Sequence, residues 1–175
     1  MSHEPPLLER VRTGSPVPRA LFRNIYFPFL TRILLNLGYR AGEAETLLEN
    51  FERTVFGESE CFVYDTSRGV FPDFMYRVLT QCLAELPAAP DHRELTPELW
   101  KPEWKKHVLD QALQKLRQEE KPGEYSAFEF HVLDGKSARE TAVMCSMLPE
   151  MVYLVKTRLM RRLRILMKEF SAEAI

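Results

Sequence analysis

Residues 134–149 read Asp-Gly-Lys-Ser-Ala-Arg-Glu-Thr-Ala-Val-Met-Cys-Ser-Met-Leu-Pro. Asp134-Gly135-Lys136 has the chemistry of a tight turn. Ser137 followed three residues later by Glu140 matches a capping box, in which the hydroxyl and the carboxylate each satisfy a backbone N–H at a helix start. The spacing therefore predicts a short helix from Ala138 to about Cys145. Ser146-Met147-Leu148 is its outgoing connection. Pro149 suits the first position of a longer helix ending near Phe170, because a proline there loses no hydrogen bond the helix would have made. Two helices joined by a tight link, the second longer and basic, are the arrangement that sets a helix into the DNA major groove.

On a helix beginning at Pro149, Val152, Val155, Leu159, Leu163 and Leu166 recur at the spacing of an inward stripe. Glu150, Tyr153, Lys156, Thr157 and Arg161 then fall near the outer face. Glu150 can accept from cytosine, Thr157 can meet a phosphate or a base, and Lys156, Arg158 and Arg161 suit phosphate neutralisation. The plainer alternative is a solvated basic face on a helical bundle. Charge is segregated along the chain although the 175 residues sum to −1. From Lys136 to Lys168 eight cations stand against two anions, a balance of +6, whereas from Ala20 to Leu99 seven cations stand against twelve anions, a balance of −5. A weakly acidic chain of this kind does not coat nucleic acid generally; any DNA binding is local.

Upstream, the apolar residues from Leu21 to Leu37 keep helical spacing, with Pro28 expected to kink or divide the helix. Gly38 and Gly42 bracket a turn. Ala44, Leu47, Leu48, Phe51, Val55 and Phe56 mark a second amphipathic helix, with Glu43, Glu45, Glu49 and Glu52 on or beside its other face. Phe62 to Gly69 reads as a turn, and Phe71 to Leu83 as a third helix with Pro72 in its first turn. Further helices are expected around Trp104–Leu116 and Glu124–Leu133. The fold class is all-α: two small helical domains, residues 20–86 and 104–170, joined by a proline-containing linker at 87–103 that can include a short helix near Glu98–Trp104, and preceded by a flexible arm at 1–19. Trp100 and Trp104 are expected to pack the linker onto the second domain.

Several chemistries find no support in the sequence. Cys61, Cys82 and Cys145 are odd in number and lack a CxxC pair, so they are expected to be reduced core thiols without a disulfide or zinc site. The four histidines have no ligand spacing. No phosphate loop, nucleophile elbow or paired-carboxylate site is present, so neither catalytic residues nor cofactors are expected and an enzyme is not. No apolar run approaches the roughly 20 residues that cross a bilayer, and no leader pattern is seen, so the expected location is cytoplasmic without a membrane span.

The string from Tyr125 to Arg164 resembles domain 4 of sigma-70-type RNA polymerase sigma factors, particularly the extracytoplasmic-function (ECF) group. The matching positions are Gly135-x-Ser137-x-x-Glu140-x-Ala142 and Val152-Tyr153-Leu154-x-Lys156-x-Arg158. Leu99-Trp100-x-x-Glu103-Trp104 is similar to the start of that domain in some members. Phe62-x-Tyr64-Asp65-x-Ser67-Arg68-Gly69-x-Phe71-x-x-Phe74-Met75 and Ala44-Glu45-x-Leu47-Leu48-Glu49-Asn50 resemble stretches of a divergent domain 2. The resemblance implies a transcription initiation factor whose partners are core RNA polymerase, promoter DNA and an anti-sigma factor. Domain 4 would read the −35 element through Glu150, Tyr153, Lys156, Thr157, Arg158 and Arg161. Glu45, Glu49 and Asn50 would contact polymerase, and Arg68, Phe71, Phe74 and Arg77 would serve the −10 region and its melting. Phe71, Phe74 and Tyr76 can stack on an unpaired base or pack a core. Residues 80–87 depart from the family: where cations are usual they hold none and one anion, which removes the counterion-release contribution to phosphate binding there. Ser146 stands where glycine is usual, and Leu148 where a serine N-cap is usual. The alternative function is a sigma-like helix-turn-helix regulator or interaction module that has lost promoter opening.

Overall fold

The computed structural model describes residues 10–11, 14–65, 67, 69–85 and 92–172. Among them the regular secondary structure is helical except for one pair of two-residue strands, β1 (Val17–Pro18) and β2 (Cys61–Phe62). The fold is all-α, as the periodicity predicts. Contacts divide it into two compact units, with the division falling between His107 and Val108.

In the first unit, α1 (Arg19–Asn36) buries Phe22, Tyr26, Phe29, Leu30, Ile33 and Leu34. It is a single helix despite Pro28, whose ring lies on an exposed position. Gly38, at φ +101°, lets Tyr39 N–H return to the Leu34 carbonyl and closes the helix. α2 (Ala41–Phe56) opens with Glu43 accepting from Arg40 N–H at 2.7 Å and buries Ala44, Leu47, Leu48, Phe51 and Phe56. Glu52 departs from the expected solvent face: it is buried, with Arg23 at 3.6 Å. The expectation of a loose arm fails for residues 14–18. Val17 is fully buried, β1 pairs antiparallel with β2, and Arg19 N–H donates to the Glu60 carbonyl. Residues 1–9 and 12–13 of that arm lie outside the described residues.

Asp65 accepts from both the N–H and hydroxyl of Ser67, and Tyr64 donates its hydroxyl to the Gly69 carbonyl at 2.7 Å, so the expected turn is closed by side chains. α3 (Phe71–Ala84) follows, with Pro72 in its first turn. Residue 86 and residues 87–91 of the expected linker lie outside the described residues. Within the rest of that stretch, where a short helix is expected near Glu98–Trp104, α4 (Pro97–Glu119) begins and runs on well beyond Trp104. Trp100 and Trp104 pack in the first unit and not onto the second domain. The Trp100 ring stands 5.1 Å from Phe29, and that of Trp104 lies near-parallel to Tyr26 at 6.2 Å. Their apolar area closes the core that α1 begins. Cys82 is buried, Cys145 is half-buried, and Cys61, expected in the core, is exposed on β2.

The second unit holds the end of α4, α5 (Pro122–Phe128), a π-helical turn at Glu129–Leu133, α6 (Ala138–Met144) and α7 (Pro149–Ala172). The helix expected to reach Leu133 thus widens after Phe128. Lys136 N–H returns to the Phe130 carbonyl, Asp134 N–H to that of Glu129, and Gly135 sits at φ +70°. No helix among the described residues is long and apolar enough to cross a membrane.

Candidate nucleic-acid interface

The capping box forms as the sequence predicts. Glu140 N–H donates to the Ser137 hydroxyl at 3.2 Å, and Ser137 N–H donates to the Glu140 carboxylate at 2.9 Å. The Ser137 hydroxyl and N–H hold that carboxyl below the usual range. α6 packs through Ala138 and Ala142 on Val152 of α7, with Met147 of the link beside them. The small side chains let the two helices approach closely.

Ser146, at φ +52°, is the one non-glycine residue with positive φ among the described residues. The left-handed conformation that glycine adopts freely is therefore kept in this link with a serine. Met147 N–H reaches the Ala142 carbonyl at 3.0 Å and ends α6. Leu148 precedes α7 at 67% exposure and carries no atom that can cap it.

α7 buries Val152, Val155, Leu159, Leu163 and Leu166, the stripe read from the sequence, and Phe170. Glu150, Thr157, Arg161, Arg164 and Lys168 fall opposite that stripe at 100° per residue and are exposed. Tyr153 is exposed on one flank, its ring edge-on to His131 at 5.6 Å. Lys156 is exposed at the border of the buried stripe and not at the centre of the outer face. Among the described residues Lys156, Arg161, Arg164 and Lys168 have no ion-pair partner.

Arg158 differs from the expectation. Its guanidinium donates to Glu120 at 2.9 Å and also to Glu124. One turn on, Arg162 donates to Glu119 at 2.8 Å. These acidic partners were missed in the sequence reading. The signal for them was a matching i, i+4 spacing, Glu120 to Glu124 and Arg158 to Arg162, on segments expected to be helical. Also missed was the exposed apolar character of the end of α6, the link and the start of α7. Val143, Met144, Leu148, Met151 and Leu154 are all exposed, Val143 to 82%.

The expected polymerase residues sit together on α2, with Glu45 and Glu49 exposed and Asn50 half-buried. Of the expected −10 residues, Phe71, Phe74 and Arg77 share α3 but differ in exposure. Arg68 lies outside the described residues. Phe71 is 1% exposed and its ring stands 5.5 Å from Tyr26 and 5.2 Å from Tyr64, so it is core and cannot stack on a base. Phe74 is half-buried, stacked on Phe62 at 5.7 Å. Arg77 is exposed and, with Asp73 and Tyr76, lines a shallow cavity of about 310 Å³. No group of three or more histidine, cysteine or carboxylate side chains suited to a metal ion occurs among the described residues. Comparison of the chain with protein-family models, with curated proteins and with solved structures found no match.

Proposed function

We propose that the second unit binds DNA by laying α7 in the major groove, and that the chain is an ECF-type RNA polymerase sigma factor. In that reading α6 crosses the backbone, Glu150 and Thr157 face base edges, and Arg161, Arg164 and Lys168 meet phosphates. The observation that carries it is a capped short helix turning through Ser146 into a long helix whose outer face offers cations without ion-pair partners among the described residues. Polymerase docking rests on the exposed Glu45 and Glu49 of α2, which would complement a basic surface. The −10 half of the reading has less beneath it, since Phe71 is core and residues 80–85 hold no cation.

A second reading is a sigma-like module that docks a protein on the same face. It is favoured by the exposed Val143, Met144, Leu148, Met151 and Leu154, which exceed what thymine methyl contacts require. Run-off transcription with purified core polymerase separates the two. Initiation that depends on this chain supports the sigma reading, and polymerase binding without initiation supports the module. For the DNA face, Arg161→Glu with Arg164→Glu is expected to weaken duplex binding by at least ~10-fold at low salt, because two phosphate contacts become repulsions. Unchanged affinity on titration would show that the face is wrongly assigned.

A further inference from the structure

We propose that Glu119, Glu120 and Glu124 form an acidic clasp that withholds Arg158 and Arg162 from DNA and turns the phosphate backbone away from one flank of α7. The inference rests on the DNA-binding reading of that helix. It concerns which side of α7 a nucleic-acid strand can follow.

Arg158 and Arg162 are one turn apart on the same flank, so both guanidiniums face the end of α4 and the start of α5. Arg158 bridges Glu120 and Glu124, and Arg162 meets Glu119 through Nε at 3.0 Å and Nη2 at 2.8 Å. Two further charges extend the set without changing its sign: Lys115 lies 3.5 Å from Glu119, and Glu169 lies 4.0 Å from Arg162. Three cations against four carboxylates leave this flank at −1.

The outer face of the same helix carries Arg161, Arg164 and Lys168, none with an ion pair among the described residues. α7 is therefore two-sided in charge, and the eight-to-two excess seen in the sequence overstates what a phosphate meets. Arg158 is 54% exposed, so its pairs are screened and add little to stability. Their larger effect is on the field. A phosphate approaching Arg158 must displace two carboxylates already held at hydrogen-bond distance and then remain beside them. Phosphates on the other side meet no such competition, so contact is confined to the strand along Arg161, Arg164 and Lys168.

Binding of the full chain to a labelled mixed-sequence duplex, followed as log K against log salt concentration, tests this directly. Glu120→Gln with Glu124→Gln releases Arg158 and is expected to steepen the slope by about 0.9, the contribution of one added phosphate contact. Adding Arg158→Gln to that pair is expected to return the slope to its starting value. Arg158→Gln alone, with the carboxylates intact, should leave the slope unchanged. The clasp is overturned if the double glutamine variant keeps the original slope, or if Arg158→Gln alone flattens it by about 0.9. If the unmodified chain binds no duplex at low salt, the DNA-binding reading itself falls and the clasp with it, an outcome visible before any variant is compared.

Discussion

In the first unit Phe71 is 1% exposed among Tyr26, Tyr64, Phe62 and Phe74, whereas in the second Leu154 stands 63% exposed on the helix proposed to enter DNA. Both residues lie in motifs that resemble functional segments of one family. Where aromatics cluster, burial of apolar area takes them into the core whatever the motif suggests. Where a capped helix and a tight turn hold a surface helix by a narrow apolar stripe, the rest of that helix stays open for binding. The first unit spends its conspicuous side chains on stability, and the second leaves them accessible.

The strongest attempt to break this contrast is Phe71→Ala. If Phe71 is core, the substitution costs ~4 kcal/mol in chemical denaturation, the range for removing a buried phenylalanine. Phe74→Ala, at a half-buried position, should cost less than half as much. A Phe71 variant of near-native stability would return that side chain to the list of base-stacking candidates. Leu154→Ala on α7 should change stability by under ~0.5 kcal/mol, as surface positions do.

His107 sharpens the comparison through pH. It is buried against Tyr26, Phe29 and Trp104, and burial first, then the nearby Arg32 guanidinium, lowers its pKa from 6.5 to about 4. Arg32 is itself held by Glu103 at 2.6 Å. As pH falls the unfolded chain takes up this proton first. The contribution is therefore whole above pH 6.5, declines between 6.5 and about 4, and is lost below that, amounting to ~3 kcal/mol. Denaturation of the wild type and His107→Gln across this window should show an acid-dependent loss that the variant lacks. Parallel curves would mean that His107 is neither so buried nor so depressed.

The parts of this molecule legible in the sequence are those fixed by neighbours along the chain. Ser137 and Glu140 cap α6 because the two groups lie three residues apart, and the inward stripe of α7 follows from helical period alone. The acidic clasp escaped because Arg158 and its partner Glu120 are separated by 38 residues, and only packing brings them together. Trp100 and Trp104 were assigned to the wrong unit for the same reason: periodicity says that a residue is buried without saying against what. The β1–β2 pair is likewise a long-range contact, and two residues per strand leave too little alternation to read.

Leu148→Ser tests the helix-turn-helix locally. It places a hydroxyl at the N-cap of α7 in place of an exposed leucine and is expected to stabilise the second unit by ~1 kcal/mol. A melting temperature that does not rise would indicate that the α7 N–H groups are already satisfied, or that Leu148 packs on something when the chain is in solution.

The smallest expected effect falls two residues earlier, at Ser146, and depends on two opposed terms. Ser146 is held at φ +52°, where a Cβ costs ~1 kcal/mol, and glycine removes that strain. Glycine also loosens the unfolded chain, which offsets the gain by ~0.4–1 kcal/mol. Ser146→Gly should therefore stabilise by no more than ~0.5 kcal/mol, whereas Ser146→Val, with a branched Cβ in the same conformation, should destabilise by at least ~1 kcal/mol. The difference between the two variants carries the test, because both share the same loss of the hydroxyl. If valine is tolerated as well as glycine, the link does not hold its left-handed residue in solution. The angle between α6 and α7, on which any presentation of α7 to a groove depends, would then be set by the Ala138, Ala142 and Val152 contact alone.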